Sequence, residues 1–525
     1  MLATTGCMGV FTGSDSTAPA ARRSTPIPNH YIVQYHEHVE QETRRMHESE
    51  VHSVSKAFGD GQHRGVIRTF NIGRFAGYHA EFTPEHAEAL RKLEIVSNYR
   101  SATNDPASGL DVLTNSHPHH QQIKTIEPDM TVHISSPVPQ DLNIHRPDLG
   151  CSGSICLDHG GRDKNPPPPS VDTHVQMFNM TAFSWGQARI SNFNPVQQSG
   201  DESLNYPHAL STQAYKTIVY VIDSGVRVTH DEFHEEIPPP SSPPTGSPHI
   251  GGNPHSIRLS RVLWGHNWNN TIDEDENGHG THVAGTIGGR RFGIAPRTQI
   301  VALKALGSDG GGALSNVILA IEWAANHTRA NNASGLSVIN MSLGCENSTS
   351  EAMDSAIRAA IEHAGITVVV AAGNEDSDSR TGSPANSPGV ISVASIGRDN
   401  HRSSFSDWGR AVTLFAPGEG IISAGFADDS ANATMSGTSM AAPHVAGLAA
   451  YFMGLYGPHT PECMKKRLLA CAIAGQVIDP RGSPNLIAYN GNSYPSSGGR
   501  KGLGNQKVRL SCGDSRWTRP DCGEN

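Results

Sequence analysis

A segment that is apolar on nearly all sides follows Ser439 and continues to Met453. This pattern predicts a helix that is buried in the core of a large domain. A hydroxyl in the first turn of such a helix lies beside backbone N–H groups without intrahelical partners, which stabilise negative charge developing next to it. Ser439 is therefore a candidate nucleophile, and the alternative is that it serves only as a helix cap.

Short apolar and β-branched runs alternate with segments of helical periodicity between residues 217 and 415. This alternation predicts an α/β fold in which a central parallel sheet is flanked by helices on both faces, with the functional site at the carboxyl ends of the strands. The predicted strands cover residues 217–222, 299–304, 336–341, 366–371, 390–396 and 411–415, and the predicted helices begin at His279, Leu314 and Ser350.

Two candidate partners of Ser439 lie at the boundaries of predicted elements. Asp223 ends the first strand, and His279 opens a helix between Gly278 and Gly280, which leave room for close backbone packing. Taken alone, a histidine in this position would more often be structural. The chain order Asp, His, Ser is that of the subtilisin triad and differs from the orders of chymotrypsin and the α/β-hydrolases.

The sequence blocks around these three residues resemble those of the subtilisin-like serine peptidases, in particular the fungal proteinase K branch. The resemblance continues, in the order of that family, through 185–191, 340–344, 371–374, 402–406 and 485–490. It implies a subtilisin-like three-layer fold and a serine endopeptidase that cleaves proteins with broad specificity.

The resemblance also implies the role of each site residue. Ser439 would attack the peptide bond, His279 would take its proton, and Asp223 would orient and stabilise the imidazolium. Asn374 matches the residue whose side chain stabilises the oxyanion, together with the Ser439 backbone N–H. The alternative for Asn374 is that it only shapes a turn.

Substrate is expected to bind as an extended strand between two segments of the cleft, because main-chain pairing reads the backbone rather than the sequence. The residues expected to contact it are Gly310, Gly311, Gly312, Ser342, Leu343, Gly344, Ala371, Ala372 and Gly373. The small, uncharged walls favour an apolar or aromatic side chain before the scissile bond. Glu375 could alter this preference, but the sequence does not place its carboxylate.

Residues 28–134 predict a small α+β domain with strands, a charged helix and a helix start at Thr83. This segment resembles the propeptide of subtilisin-like enzymes, which occupies the cleft as an intramolecular inhibitor, and it contains an insertion at 97–122. Residues 1–27 are expected to be a disordered leader, 135–184 a Pro-rich linker, 185–490 the peptidase domain with a loop insertion at 236–255, and 491–525 a disordered tail.

No cofactor is expected for catalysis, whereas the resemblance raises the question of a structural calcium ion. Its ligands would be carbonyl groups matching Pro388 and Val390 and an aspartate, but Thr413 occupies the position of that aspartate. Because calcium prefers several anionic oxygen ligands, this change disfavours the site. Cys463 likewise matches half of a family disulfide whose other half falls at Ile391, so we expect that bond to be missing.

The net charge of −10 and the lack of long Lys/Arg runs give no indication of binding to nucleic acid or to an anionic membrane. No window approaches the roughly 18 apolar residues of a membrane span. Eight cysteines and several Asn-x-Ser/Thr sites are typical of a secreted glycoprotein, although Met1 to Phe11 is short and polar for the apolar part of a signal peptide. We expect a monomer.

Three hypotheses remain open from the sequence. The first is a secreted endopeptidase made as a zymogen and matured by cleavage of the propeptide. The second is a catalytically silent relative that binds peptides or keeps its propeptide as an inhibitor, which the insertions favour and the complete triad disfavours. The third is an esterase-type hydrolase, which is disfavoured because the segment from Gly437 to Ala441 lacks the second glycine of a nucleophile elbow.

Overall fold

The computed structural model describes residues 24–58, 64–91, 123–134, 177–196, 204–209, 216–237, 257–345 and 347–491. These residues form a small N-terminal domain, described as far as Ile134, and a large domain that follows it. The elements of the N-terminal domain are β1 (Pro26–Tyr35), α1 (Gln41–Phe58), β2 (Gly65–Ile72), β3 (Phe75–Glu81) and β4 (Ile123–Ile134), together with a helical segment over residues 84–91.

The four strands of the N-terminal domain pair antiparallel in the order β4-β1-β3-β2. Side chains alternate along β1, so Val33 and Tyr35 enter the domain's own core while Ile32 faces a core shared with the large domain. Thr83 accepts a hydrogen bond from the His86 N–H at 3.2 Å and caps the helical segment. The predicted α+β class is confirmed.

The first strand starts earlier than the sequence predicts, because Pro26 lies in the segment 1–27 that was expected to be disordered. The Thr25 N–H donates to Thr131 Oγ1 at 2.8 Å, and the Thr131 N–H donates to the Thr25 carbonyl at 2.9 Å. The start of this strand is not predictable from the sequence, because Pro26 and Pro28 lack the N–H that a strand ladder needs and so disfavour a strand assignment. The insertion predicted at 97–122 lies outside the described residues.

The large domain contains the remaining elements. Its first half comprises β5 (Met177–Ala182), α2 (Trp185–Ser191), β6 (Leu204–Ala209), β7 (Ile218–Asp223), β8 (His234–Ile237), β9 (Ile257–Ser260), β10 (Val262–Asn267), α3 (His279–Gly288), β11 (Gln299–Lys304), β12 (Gly311–Ala313), α4 (Leu314–Ala330), β13 (Ser337–Met341) and β14 (Leu343–Gly344). Its second half comprises α5 (Glu351–Ala364), β15 (Thr367–Ala371), β16 (Ile391–Ile396), β17 (Leu414–Pro417), β18 (Ile421–Ala424), β19 (Asn432–Met435), α6 (Thr438–Tyr456), α7 (Pro461–Cys471), β20 (Ile473–Ala474) and β21 (Leu486–Ile487).

A nine-stranded sheet in the order β10-β11-β7-β13-β15-β16-β17-β21-β20 runs through this domain, with parallel pairing at every step except β21 to β20. Both faces are buried. Val219 and Val221 of β7 pack in the core that contains α3 and α6, whereas Tyr220 and Ile222 pack in the core that contains α4 and α5. The predicted three-layer fold, a central parallel sheet flanked by helices, is therefore confirmed.

The predicted linker 135–184 is not wholly unstructured, because residues 177–182 form β5, which pairs antiparallel with β6. The sequence did not reveal this strand because its partner lies beyond an intervening helix. The rest of that linker up to residue 176, most of the insertion predicted at 236–255 and the tail after residue 491 lie outside the described residues. The hairpin of β8 and β9 flanks that insertion.

Two cysteines of the helix α7 form disulfide bonds. Ile391 lies within β16, yet Cys463 and Cys471 are both disulfide-bonded. Both residues lie on the continuous helix α7, about 12 Å apart along its axis, so each is bonded to a cysteine outside this helix. Cys345 is a free, buried thiol. None of the helices in the described part of the chain is both long and apolar enough to cross a bilayer.

Candidate active site

Asp223 and His279 meet at the carboxyl edge of the sheet. Asp223 ends β7 and His279 begins α3, and the imidazole Nδ1 lies 2.8 Å from Asp223 Oδ1 and 3.0 Å from Oδ2. Both side chains are buried. The Asp223 carboxylate also accepts a hydrogen bond from the Ser224 N–H at 2.7 Å, which fixes its position. The contact determines which imidazole nitrogen carries the proton, since the carboxylate needs a donor at Nδ1.

The glycines on either side of His279 are required by the local backbone. Gly278 has φ +96°, in the left-handed region that favours glycine. A Cβ at Gly280 would lie 2.0 Å from the Gly225 carbonyl oxygen and 3.2 Å from Asp223 Cβ. The close approach that the sequence predicted between this helix and the Asp223 strand therefore depends on glycine at 280.

Ser439 is the second residue of α6 and is buried. Its Oγ donates to the Ser342 carbonyl at 3.1 Å, and Ser342 Oγ donates to the Ser439 carbonyl at 3.0 Å. His279 Nε2 is buried and has no hydrogen-bond partner among the described residues. Asp223 and His279 are thus hydrogen-bonded to each other, while the Ser439 hydroxyl is bonded to Ser342, which lies between β13 and β14.

Asn374 lies in the loop after β15, next to the start of α6. Its Oδ1 accepts hydrogen bonds from the Thr438 N–H at 2.8 Å and from Thr438 Oγ1 at 2.9 Å. These two hydrogen bonds use the amide oxygen of Asn374. The NH₂ group of the same amide therefore points away from Thr438 and can act as a donor. Asn374 is thus held at the start of α6, beside the residue that precedes Ser439.

Sequence reasoning missed Asp275, a buried carboxylate that organises the turn before His279. Its Oδ1 accepts from Ser224 Oγ at 2.9 Å, the Asn277 N–H at 3.1 Å and the Gly278 N–H at 2.8 Å. Its Oδ2 accepts from the Thr281 N–H at 2.9 Å and from Thr281 Oγ1 at 2.6 Å. The signal in the sequence was an aspartate two residues before Asn277-Gly278, which is typical of a turn held by its own side chain.

Lys304 is a second residue that the sequence analysis did not single out. It pairs with Asp223 in the ladder between β11 and β7, and its side chain is fully buried. Its ammonium donates to the Ser224 carbonyl at 2.6 Å and lies 3.4 Å from Glu276. A buried cation thus stabilises the backbone directly after Asp223, which positions that carboxylate for His279.

Strand β4 of the N-terminal domain lies between the two cleft segments predicted to bind substrate. Gly311, Gly312 and Ala313 pair antiparallel with His133, Val132 and Thr131, and on the other side Leu343 and Gly344 pair with Ile134 and His133. The Ile134 N–H donates to the Gly310 carbonyl at 2.9 Å. Five of the predicted contact residues, Gly310 to Gly312, Leu343 and Gly344, therefore border an extended chain segment, whereas Ser342 contacts Ser439.

Two carboxylates of β4 sit at the N-termini of helices in the large domain. Asp129 accepts from the Ser315 N–H at 3.0 Å and from Ser315 Oγ at 2.6 Å, at the start of α4. Glu127 accepts from Ser350 Oγ and from the Glu351 N–H at the start of α5. Burial raises the pKa of both carboxyl groups, and these hydrogen bonds oppose that shift. The contacts fix the N-terminal domain on the large domain.

A pocket opens beside this strand, and its walls include the remaining predicted contact residues, Ala371, Ala372 and Gly373, with Leu343 and Gly344. The structure also places two carboxyl groups in its lining, those of Glu375 and Asp407. Asp407 is buried, and its burial together with the charge of Glu375 raises its pKa to about 7. The Glu375 carboxylate, which the sequence did not place, accepts from the Asn374 N–H at 2.9 Å.

The residues at the expected calcium position do not fit a calcium ion. The Val390 carbonyl, one of the two expected ligands with Pro388, accepts a hydrogen bond from the Lys465 ammonium at 2.9 Å. Thr413 Oγ1 accepts from the Ser392 N–H at 3.1 Å and provides no carboxylate. The Lys465 ammonium thus already occupies a carbonyl oxygen that calcium would need, and a second cation beside it would be repelled.

Comparison with known proteins gives consistent similarities. Residues 215–508 match the Subtilase family (Peptidase S8), and residues 30–99 match Peptidase inhibitor I9. The chain is 40% identical over 323 residues to a "Cuticle-degrading serine protease" of Arthrobotrys oligospora, covering 61% of this chain and 71% of that protein. It is 41% identical over 310 residues to "Subtilisin-like protease 2" of Pseudogymnoascus destructans, covering 59% and 68%. The crystal structure of a cold adapted subtilisin-like serine proteinase is 38% identical, with a TM-score of 0.49, over 59% of this chain and 99% of that chain.

Proposed function

The chain belongs to the subtilase family of serine proteases, and we propose that it is an endopeptidase whose catalytic triad is Asp223, His279 and Ser439. The observation that supports this most directly is the buried pair of His279 and Asp223, joined at 2.8 Å, with Nε2 left as the imidazole nitrogen that can take a proton. A histidine held in this tautomer is what activation of a serine requires.

In the proposed mechanism, substrate binding brings the scissile carbonyl next to Ser439 Oγ. His279 Nε2 takes the hydroxyl proton as the Oγ–carbon bond forms, and Asp223 stabilises the resulting imidazolium. The Asn374 NH₂ and the Ser439 backbone N–H donate to the oxyanion. His279 then gives the proton to the leaving amine, and water completes hydrolysis through the same groups. The chemistry needs no cofactor, and no calcium is proposed at Pro388 and Val390.

The N-terminal domain is proposed to be the propeptide and inhibitor of this site. Its strand β4 pairs with both cleft segments, as an extended substrate would, so the domain excludes other peptides until it is removed. The pairing is through the backbone, which supports broad specificity. The chain is further proposed to be secreted, monomeric and matured by cleavage after this domain, with proteins and peptides as substrates.

The wall residues alone predict an apolar or aromatic side chain before the scissile bond. This preference stays a prediction, because Glu375 and Asp407 share the same pocket.

The alternative is a catalytically silent relative, which one contact favours: Ser439 Oγ donates to the Ser342 carbonyl and not to His279. Casein hydrolysis by the chain after release of the N-terminal domain, with and without a serine-directed covalent inhibitor, separates the two. An active enzyme is expected to be stopped by the inhibitor and by Ser439→Ala. Ser439→Ala should also prevent release of the N-terminal domain. Absence of hydrolysis and of labelling by the inhibitor would establish the silent alternative.

A further inference from the structure

We infer that His30, His79 and Asp129 form a binding site for a divalent transition-metal ion of the zinc type, on the face by which the N-terminal domain docks on the large domain. We call it the interface metal site. Each residue offers one ligand atom, and these atoms all lie within 4.8 Å of one another. The site shares no residue with the proposed catalytic triad, so the inference does not depend on the proposed function.

Three neighbouring strands of one sheet supply the three ligands. His30 and Ile32 are two residues apart on β1 and therefore share a face, and Ile32 pairs directly with His79 of β3. Asp129 lies on β4, which pairs with β1 on its other side and shifts its register there. Because all three side chains are carried by hydrogen-bonded strands, their ligand atoms are brought together by the fold of the domain itself.

The distances between the ligand atoms are close to those of a tetrahedral site. His30 Nδ1 lies 2.8 Å from His79 Nε2, which lies 3.4 Å from Asp129 Oδ2. Zinc bonds of about 2.0–2.1 Å in tetrahedral geometry place neighbouring ligand atoms about 3.3 Å apart, so the two rings need to separate by only about half an ångström. Each facing nitrogen presents a lone pair when its ring carries the proton on the other nitrogen. The fourth position is left for water.

The surroundings of the ligands suit an ion of this kind. Two imidazoles and one carboxylate favour zinc, because calcium and magnesium take oxygen ligands. The Asp129 carboxylate is fully buried, and Ser315 holds it by its N–H at 3.0 Å and its hydroxyl at 2.6 Å, as outer-shell partners orient a metal ligand. His30 is half-buried, which gives an ion access from solvent. Arg68, opposite His79 on β2, opposes a cation, but it is exposed and its charge is screened.

Metal binding and docking of the domains are coupled at this site. All three ligands belong to the N-terminal domain, whereas Ser315 is the second residue of α4 in the large domain. Asp129 is oriented for the ion by Ser315 only when the domains are in contact, so docking raises the affinity for the metal by about tenfold. By reciprocity, a bound ion strengthens docking by the same factor.

The test uses the uncleaved full chain with Ser439→Ala, stripped of metal by a chelator, and Co²⁺ as the probe. A tetrahedral cobalt ion absorbs strongly in the visible range, so Co²⁺ should give this band and Zn²⁺ should displace it. His30→Ala and Asp129→Asn should each abolish the band. The matched control is His38→Ala, an exposed histidine of the same domain that stacks on His36, which should leave the band unchanged.

A second control concerns the predicted insertion, because His119 and His120 could also bind the probe. The band should persist when both are changed to alanine. Melting temperatures with and without Zn²⁺ separate loss of a ligand from loss of folding. Zinc should raise Tm of the parent chain, and His30→Ala should remove that rise while leaving Tm of the metal-free protein unchanged.

The coupling to docking is measured with two serine variants. Ser315→Ala should weaken Zn²⁺ binding about tenfold, because Asp129 Oδ2 loses its donor. Ser355→Ala removes a different hydrogen bond between the domains, from Gln34 Nε2 at 3.2 Å, and should leave the affinity unchanged. Equal effects of the two variants would refute the coupling. Absence of the cobalt band, or a band that survives His30→Ala, would show that the three side chains form a hydrogen-bonded network only and would overturn the inference.

Discussion

At the scale of single residues, Asp275 is the side chain on which the position of His279 depends. Five hydrogen bonds end on its two oxygens, from residues on both sides of the histidine. In Asp275→Asn one oxygen becomes an NH₂ group facing the Thr281 N–H, so a buried donor loses its acceptor. We expect the free energy of unfolding to fall by about 1–3 kcal/mol and kcat to fall about tenfold with KM little changed.

Chemical denaturation and steady-state kinetics on one tetrapeptide substrate measure both effects. The control is Asp273→Asn, which removes a neighbouring exposed carboxylate that accepts a hydrogen bond from Asn267 Nδ2 at 3.2 Å. If Asp275→Asn were as active and stable as Asp273→Asn, the turn would not depend on this carboxylate.

Lys465 supports a second prediction at this scale. Because its ammonium donates to the Val390 carbonyl where the family resemblance places a calcium ligand, stability should not depend on calcium. EDTA is expected to leave Tm unchanged, and Lys465→Met should lower the free energy of unfolding by about 1–2 kcal/mol. Differential scanning calorimetry with and without EDTA measures this. Lys466→Met, which loses only an exposed pair with Glu462, is the control. A large drop in Tm on adding EDTA would show that calcium binds after all.

At the scale of elements, β4 is the segment that couples the two domains, and it should act as an inhibitor when the chain is divided. Residues 24–134 have a core of their own around Tyr35, Tyr78 and Phe82, which supports independent folding. We expect this fragment to inhibit the mature enzyme. Asp129→Ala should raise the inhibition constant about tenfold, because the Ser315 N–H and hydroxyl at the start of α4 lose their acceptor.

The inhibition constant is measured by titrating the fragment against a fixed amount of enzyme. Glu85→Ala, an exposed acidic residue of the helical segment 84–91, is the control for the loss of a negative charge. A version without residues 97–122 tests whether that insertion is tolerated, since a longer surface loop costs little closure entropy. Inhibition only after the deletion would show that the insertion is incompatible with the fold, and no inhibition by either would refute the propeptide assignment.

The elements also show how far the sequence could be interpreted. The strands around Asp223 and Val369 were predicted to within a residue or two, because continuous apolar runs identify strands buried on both faces. The strand β5 was missed because its pairing with β6 is not encoded locally. Asp275, Asp407 and Lys465 were missed for a related reason: their roles depend on backbone groups that are brought to them by the tertiary fold.

At the scale of the whole molecule, the interface between the two domains contains carboxyl groups that are partly or fully buried. Glu322 on α4 accepts a hydrogen bond from the Asn71 N–H at 2.7 Å, and burial raises its pKa to about 7. Burial also raises the pKa of Glu127 and Asp129. Once the domains separate, these groups return to water and to their ordinary pKa values, so association of the domains takes up protons.

The affinity between the domains should therefore depend on pH. For Glu322, whose pKa is raised in the complex, the favourable contribution is fully present below its ordinary pKa of about 4.5 and is lost as pH rises through about 7. His79 pairs with Ile32 on the face toward the large domain, and its pKa is lowered to about 4 by burial and by its neighbours His30 and Arg68. Its favourable contribution is present above its ordinary pKa of about 6.5 and is lost as pH falls through about 4, so it partly opposes that of Glu322. We expect the fragment 24–134 to bind the large domain more weakly at pH 8 than at pH 6.

Calorimetric titration of this fragment into the large domain with Ser439→Ala measures the affinity without cleavage. Glu322→Gln should flatten the pH dependence, because the amide accepts from Asn71 without titrating. Glu362→Gln, a change of the same kind on the neighbouring helix α5, should leave it as in the unmodified domain. A dissociation constant that is constant from pH 6 to 8, or that falls as pH rises, would contradict the expectation. In either case Glu322 would not control release of the N-terminal domain, and the pairing of β4 with the cleft would dominate the affinity at every pH.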